Sequence, residues 1–300
     1  MSERSFVVHA GGRAARHLRE RGLASVDITC VPAAAGGPKG LALVPIDRRL
    51  FGAGGWLRER AQPLHLIGAS IGAWRMMAAA QVDADRALQR LSDSYIAQRY
   101  PRNPPPQLVS DECRKLAQAV LDGGALPTLR AGAQVQVITT RARGVLASNG
   151  SRRAFVQAAI ANARSRDRLA AHMQRVVFHA STADFPVAAF DPFGLQRVPF
   201  SDANAEDALL ASGSIPLVCA PVRDPAGAPR GDYWDGGLID YHLLLPYTQL
   251  DGLVLYPHFV PQVTAGWLDK FLPWRRHAPA HDWLANVLLV APSPALLQPL

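Results

Sequence analysis

Three hundred residues, 49% of them apolar, can bury a large core, which excludes disordered, collagenous and low-complexity classes. No apolar run approaches the ~18–20 residues of a spanning helix, and the start, MSERSFVVHAGGRAARHL, lacks the segments of an export signal, so a soluble cytoplasmic protein is expected. The net charge of +8 comes from scattered arginines rather than a basic helical stripe; this suits a solvated surface or anionic phospholipid, and no nucleic-acid partner is expected.

In chain order, Phe6–His9 reads as a short strand and Arg13–Arg21 as a helix stopped by Gly22. The run VDITCV (Val26–Val31) reads as a strand that empties into PAAAGGPKG. Leu41–Phe51 then has helical spacing, with Pro45 confined to its first turn or a kink. Leu64–Ile67 is a buried strand, Ile71–Gln81 the helix after it, and Asp83–Arg99 a second helix. Pro101–Gln107 (PRNPPPQ) predicts a rigid extended connector before a helix over Ser110–Leu121. Gln134–Thr139 alternates as a strand, Arg152–Gln174 reads as one long polar helix, and Gln174–Ala180 as a strand. A loop-rich stretch to Pro199, a helix over Asn204–Ser212 and a late strand over Leu250–Tyr256 follow. Apolar strands alternating with helices predict an α/β fold: a three-layer α/β/α sandwich with a largely parallel central sheet. One domain over 1–300 is expected, and the final PSPALLQPL carries no stop signal, as in a piece of a longer chain. Cys30, Cys113 and Cys219 are odd in number and lack CxxC spacing, which argues against both disulfides and a zinc site; no metal or other cofactor is expected.

Three motifs carry chemistry. Gly68-Ala-Ser70-Ile-Gly72 fits G-x-S-x-G with a strand before it and a helix after it. Such a turn forces the serine into a strained conformation, and Gly68 and Gly72 leave room around it. The helix dipole then favours negative charge at the serine oxygen. Upstream, AAAGGPKG is a glycine-rich strand-to-helix turn whose N–H groups suit an anion. Its spacing fits neither G-x-G-x-x-G nor a P-loop. Because Pro38 has no N–H, the donors for an oxyanion hole fall to Gly36, Gly37 and Lys39, with Gly40 opening the helix. His9-Ala-Gly-Gly12 is a similar turn that nothing else joins. Downstream, Asp235 lies between aromatics and the pair Gly236-Gly237, in surroundings that would raise its pKa and make it a better base.

Taken in order, AAGGPKG, GASIG, ASGSIP (Ala211–Pro216) and DGG resemble the patatin-like phospholipase family over about residues 26–240. The resemblance implies a lipid acyl hydrolase with Ser70 as nucleophile, Asp235 as its dyad partner, and Gly36, Gly37, Lys39 and Gly40 as the oxyanion loop. Ala35 stands where many members carry a further glycine. Two other readings stay open. One is a Ser-His-Asp esterase, drawing on His242, His258, His277 or His281 and on Asp191, Asp202 or Asp224. The other is a non-catalytic lipid- or partner-binding module of the same fold.

Residues 241–300 hold a last strand and a segment, WLDKFLPWRR, that mixes aromatics with cations. Trp267, Phe271, Trp274, Arg275 and Arg276 are candidates for contact with a membrane surface; the competing expectation is a cover with its tryptophans buried.

Overall fold

In the computed structural model of the chain, residues 5–60, 62–148, 151–180, 190–275 and 282–293 are described. The elements begin with β1 (Phe6–Ala10), α1 (Gly12–Arg21), β2 (Ile28–Ala33), α2 (Val44–Phe51), β3 (Leu64–Ala69) and α3 (Ile71–Ala79). Next come α4 (Ala84–Ala97), α5 (Pro106–Leu121), β4 (Ala133–Ala142), α6 (Gly144–Ser148), α7 (Arg152–Arg164), α8 (Arg166–Ala170) and β5 (Met173–His179). The chain continues through β6 (Gln196–Pro199), α9 (Ala205–Gly213), β7 (Val222–Arg223), β8 (Asp232–Asp235), α10 (Gly237–Asp240), β9 (Leu253–Pro257) and β10 (Val287–Pro292).

The strands form one sheet in the order β1-β10-β9-β2-β3-β4-β5-β6. Its centre, β10 to β4, is parallel throughout, while β1 runs antiparallel to β10, and β5 runs antiparallel to β4 and parallel to β6. Central strands such as β9 are buried at every residue, as expected for strands covered on both faces. The edge strand β1 is exposed along its length. Alternate residues feed opposite cores: Leu64 and Leu66 of β3 pack with α2, α3, α4, α5 and α9, whereas Ile67 and Ala69 pack with Leu243, Leu245, Tyr247 and Phe259. One outer layer is therefore helical. The other is built from the irregular chain after α10, with α6, α7 and α8 beside it around Trp234 and Met173.

The chain departs from sequence expectation at several boundaries. The predicted helix over Arg152–Gln174 divides at Ser165, whose extended backbone (φ −165°, ψ 144°) lets its side chain cap α8 through the Asp167 N–H. Strand β5 then begins at Met173, inside the expected helix. The rigid connector ends sooner than expected because Pro106 sits at the start of α5, where a missing N–H costs nothing. Between Gly37 and Phe51 a 3₁₀ segment (Gly37–Leu43) leads into α2, with Pro45 in the first turn. The turn at Gly11 and Gly12 has a packing role: a Cβ on Gly11 would lie 2.0 Å from the Leu284 carbonyl oxygen.

Candidate active site

The sheet itself brings Ser70 and Asp235 together. Strand β3 runs beside β4 until Ala69 lies opposite Ile138, and there the chain turns away at Ser70. Strand β4 continues, and its next residue, Thr139, lies opposite Asp235 of the antiparallel β8. Strand β8 thus takes over the lane along β4 that β3 vacates, and the two strand ends meet. At that junction the Ser70 side chain lies beside the Asp235 carboxylate, and both line one cavity.

Ser70 holds φ 56° and ψ −132°, a conformation that costs a residue with a side chain on the order of 1–3 kcal/mol. Its surroundings keep it there. The Ser70 N–H donates to Ser212 Oγ at 2.9 Å, and that hydroxyl donates onward to the Ile138 carbonyl at 2.7 Å. The turn also closes tightly. A Cβ on Gly68 would come within 2.4 Å of the Ala73 nitrogen, and one on Gly72 within 1.9 Å of the Ala33 oxygen, so any side chain there would push the turn open. Every residue of α3 is buried, and its N-terminus starts directly at Ser70.

Asp235 is placed by the same segment that buttresses the turn. Its backbone N–H donates to the Ser214 carbonyl at 2.9 Å, two residues beyond Ser212. Burial pushes its carboxyl up to about 6, moderated by hydrogen bonds from Ser70 and from the Gly237 N–H at 2.7 Å. No lysine or arginine pairs with it among the described residues. Gly236 and Gly237 let the chain fold back tightly: a Cβ on the first would lie 2.2 Å from the Ile138 oxygen, and one on the second 2.8 Å from the Ala35 Cβ.

The glycine-rich loop forms the facing wall. The N–H of Ala35 is spent on the Tyr241 carbonyl at 2.9 Å, so it does not point at a ligand. Gly36 presses its Cα face on the Phe259 ring, where a Cβ would sit at 2.5 Å, and Gly37 takes a left-handed φ of 58°. Gly36, Gly37, Lys39, Ser70 and Asp235 all line one cavity of about 280 Å³. Gly40 does not line it; it lies buried behind, where a Cβ would clash with Ile71 at 2.6 Å.

The family model of Patatin-like phospholipase matches residues 35–245. The chain belongs to the patatin-like phospholipase family. Members of this family hydrolyse ester bonds of lipids. No curated protein matches the chain. The matched span runs from the glycine loop through β8 and α10, and so contains the whole Ser70–Asp235 junction of this patatin-like chain.

The histidines sit elsewhere in their bonding. His242 and His258 are buried, and burial lowers them to about 2 and about 4 respectively, keeping both neutral at ordinary pH. Their Nδ1 atoms face backbone groups, and their Nε2 atoms have no hydrogen-bond partner among the described residues. Neither therefore hydrogen-bonds Ser70. The three acids considered beside them have other work: Asp191 is held by Arg175, Asp202 caps the Leu126 N–H, and Asp224 accepts from Gly231. His277, His281 and Arg276 lie outside the described residues.

The segment rich in aromatics divides by direction. It forms two short 3₁₀ turns, Trp267–Phe271 and Pro273–Arg275. Trp267 lines the cavity, whereas Phe271 and Trp274 are exposed at 58% and 68%. Arg275 turns inward to Asp269 and Asn162, both at 3.2 Å, because a buried carboxylate outcompetes solvent for it. Sequence reading did not single out Lys270, Ile215 and Pro216, which also line the cavity. The signal for the last two was present in ASGSIP, since the residues after Ser214 must pass the mouth of the site.

Among the described residues no helix is long and apolar enough to cross a membrane.

Proposed function

We propose that the protein is a serine acyl hydrolase that cleaves carboxylic esters of lipids, phospholipids or lysophospholipids above all, through a Ser70–Asp235 dyad. The observation that carries this reading is the junction of β3 and β8, where a strained serine meets a buried carboxylate that burial pushes up to about 6 and that no cation pairs with among the described residues.

Asp235 takes the proton from Ser70 Oγ as the oxygen attacks the ester carbon. The N–H groups of Gly36, Gly37 and Lys39, together with the α3 N-terminus, stabilise the oxyanion. Collapse releases the alcohol with the proton from Asp235 and leaves an acyl-Ser70. Water, deprotonated by Asp235, then attacks that ester, the fatty acid departs, and Ser70 regains its proton. The partially raised pKa suits both directions of transfer, since a strong acid would not take the proton and a strong base would not return it.

The cavity is small for a whole lipid, since ligand sites usually run from ~300 Å³ upward. At about 280 Å³ it holds the ester and its nearest atoms. Exposed Ile215, Leu217, Val218, Phe271 and Trp274 lie on the two segments that flank its mouth and would take the rest of the chain, or the lipid surface itself.

The test is labelling by a fluorophosphonate together with turnover of p-nitrophenyl and phospholipid esters. Wild type should label and turn over; Ser70→Ala should do neither, and Asp235→Asn should lose turnover. Full turnover by Asp235→Asn, with loss in a histidine variant instead, would establish a Ser-His-Asp esterase. A wild-type protein that never labels would be a binding module.

A further inference from the structure

We propose that the outer face of α7, with the groove it forms against α8, docks on an anionic phospholipid bilayer, the arginines of the groove taking lipid phosphates. None of the groove's residues lines the cavity that holds Ser70. The docking surface therefore stands whether or not Ser70 and Asp235 act as a dyad.

The fully buried stripe of α7 is made of small and polar residues, Ala154, Ala158 and Asn162, spaced four apart. Val156 and Ile160, also four apart, face outward and are 51% and 47% exposed. The outer face of a surface helix is ordinarily polar, so this pair is out of keeping with water alone. Packing on the inner side fixes the orientation. Asn162 Nδ2 donates to the buried Asp269 at 2.9 Å, and Asn162 Oδ1 accepts from Arg275 at 3.2 Å. Phe155 meets the Trp234 ring edge-on, with centroids 5.3 Å apart. The helix cannot roll to hide Val156 and Ile160 without giving up these contacts.

Charge around the pair is of one sign. Residues 123–180 hold nine arginines and a single acid, Asp167. Arg166 and Arg175 are spent on buried carboxylates, and Arg141 on the Arg230 carbonyl. Arg143, Arg152, Arg153, Arg164 and Arg168 are exposed, and their side chains form no ion pair among the described residues. Two of them, Arg164 and Arg168, stand on the wall of a groove of about 440 Å³ beside Ile160 and His172. The Arg143 N–H donates to the His172 carbonyl at 2.8 Å, which brings a third arginine to the same corner. A phospholipid carries a phosphate next to an acyl chain, and this surface sets guanidinium groups next to apolar side chains. The guanidinium fork matches phosphate oxygens two at a time, while Val156 and Ile160 enter the boundary with the acyl chains. Nucleic acid would engage the arginines but gain nothing from the apolar pair, so the bilayer is the better match.

The experiment uses the full chain carrying Ser70→Ala, so that lipid is bound without being consumed. It is sedimented with vesicles of phosphatidylcholine alone and of phosphatidylcholine mixed with phosphatidylglycerol. The mixed vesicles should bind at least about tenfold more tightly, and raised salt should shrink the difference. Arg164→Gln together with Arg168→Gln should weaken that binding at least about tenfold, since one arginine at an anionic surface is worth about fivefold. Arg164→Lys together with Arg168→Lys should keep most of it, which separates lost charge from a lost fold. Val156→Ser together with Ile160→Ser should cost roughly tenfold and leave the salt dependence in place. Equal binding to the two vesicles, or full binding by the Arg164→Gln and Arg168→Gln protein, overturns the docking surface. Loss in Trp274→Ala with none in the α7 variants moves the lipid contact to the cavity mouth and overturns it as well. Duplex DNA bound as tightly as the mixed vesicles, with no loss in the Val156→Ser and Ile160→Ser protein, overturns the bilayer as the occupant.

Discussion

Asp235 and Asp240 flank one turn of chain and are almost equally buried, at 7% and 3% exposure, yet they are treated in opposite ways. Asp240 accepts two hydrogen bonds from the buried Arg175, at 2.6 and 2.9 Å, and Asp191 holds the same guanidinium from the other side. Its charge is matched and its role is to tie α10 to β5. Asp235 has a hydroxyl and a backbone N–H for partners and no cation. Burial alone therefore says little about a carboxylate. The partner decides whether it serves as a fastening or, on the dyad reading, is left to accept a proton.

The largest effect that would break this contrast is at the group Asp235 faces. Ser70→Ala should reduce ester turnover by about 10⁴-fold or more while the protein melts normally, read by single-turnover kinetics beside a thermal scan. Asp235→Asn should cost about 10³-fold in turnover, within the usual range for a general base. It should also raise stability. The folded carboxyl titrates near 6 and the unfolded one near 3.8, so between those values the native state binds more protons and loses stability as pH rises. Above pH 6 the deficit is complete, on the order of 1–3 kcal/mol. Asparagine removes it, so the variant should melt higher than wild type at pH 8 and alike at pH 3.5. Asp240→Asn should do the reverse, losing on the order of 1–3 kcal/mol because it takes from the buried Arg175 one of its two carboxylates, measured by urea unfolding at pH 7. A pH profile sharpens the comparison further: kcat/KM of wild type should fall on the acid side with a midpoint near 6, where Asp235 becomes protonated. A profile flat from 5 to 8 would remove Asp235 from the base role. The smallest effect concerns the exposed rim. Trp274→Ala should weaken binding to anionic vesicles by roughly threefold to tenfold, with soluble-ester turnover unaltered.

The elements around the site were more legible in the sequence than those that complete it. Strands β2 and β3 and helix α3 follow from apolar runs ended by small residues or followed by helical spacing, since a buried parallel strand has no polar face to blur the pattern, and β4 follows from the alternation in QVQVIT. The serine and the glycine loop could be singled out for the same reason, since each stands where a strand must stop; Asp235 stood out by its aromatic neighbours and the glycine pair after it. Strand β8 was not anticipated, because Asp232–Asp235 has four residues and pairs only through β4 and β7. Neither was β10, whose run VLLVAP has no alternation to distinguish it from a helix turn. Lys270 went unremarked because it packs on three rings, one of which, Tyr241, is distant in sequence. Ser212 likewise gains its role from Ser70 and Ile138, contacts that no local pattern encodes.

The shared lane along β4 has a consequence for the order in which the molecule becomes competent. During synthesis the serine emerges early, whereas Ser212, which holds its turn, follows 142 residues later. The lane beyond Ser70 stays vacant until β8, far later in the chain, docks there. A slip of one residue in that docking would turn the carboxylate to the opposite face of the sheet. On the dyad reading, an unfinished or misregistered chain thus carries a nucleophile with no base, and hydrolysis waits until β8 has taken its place.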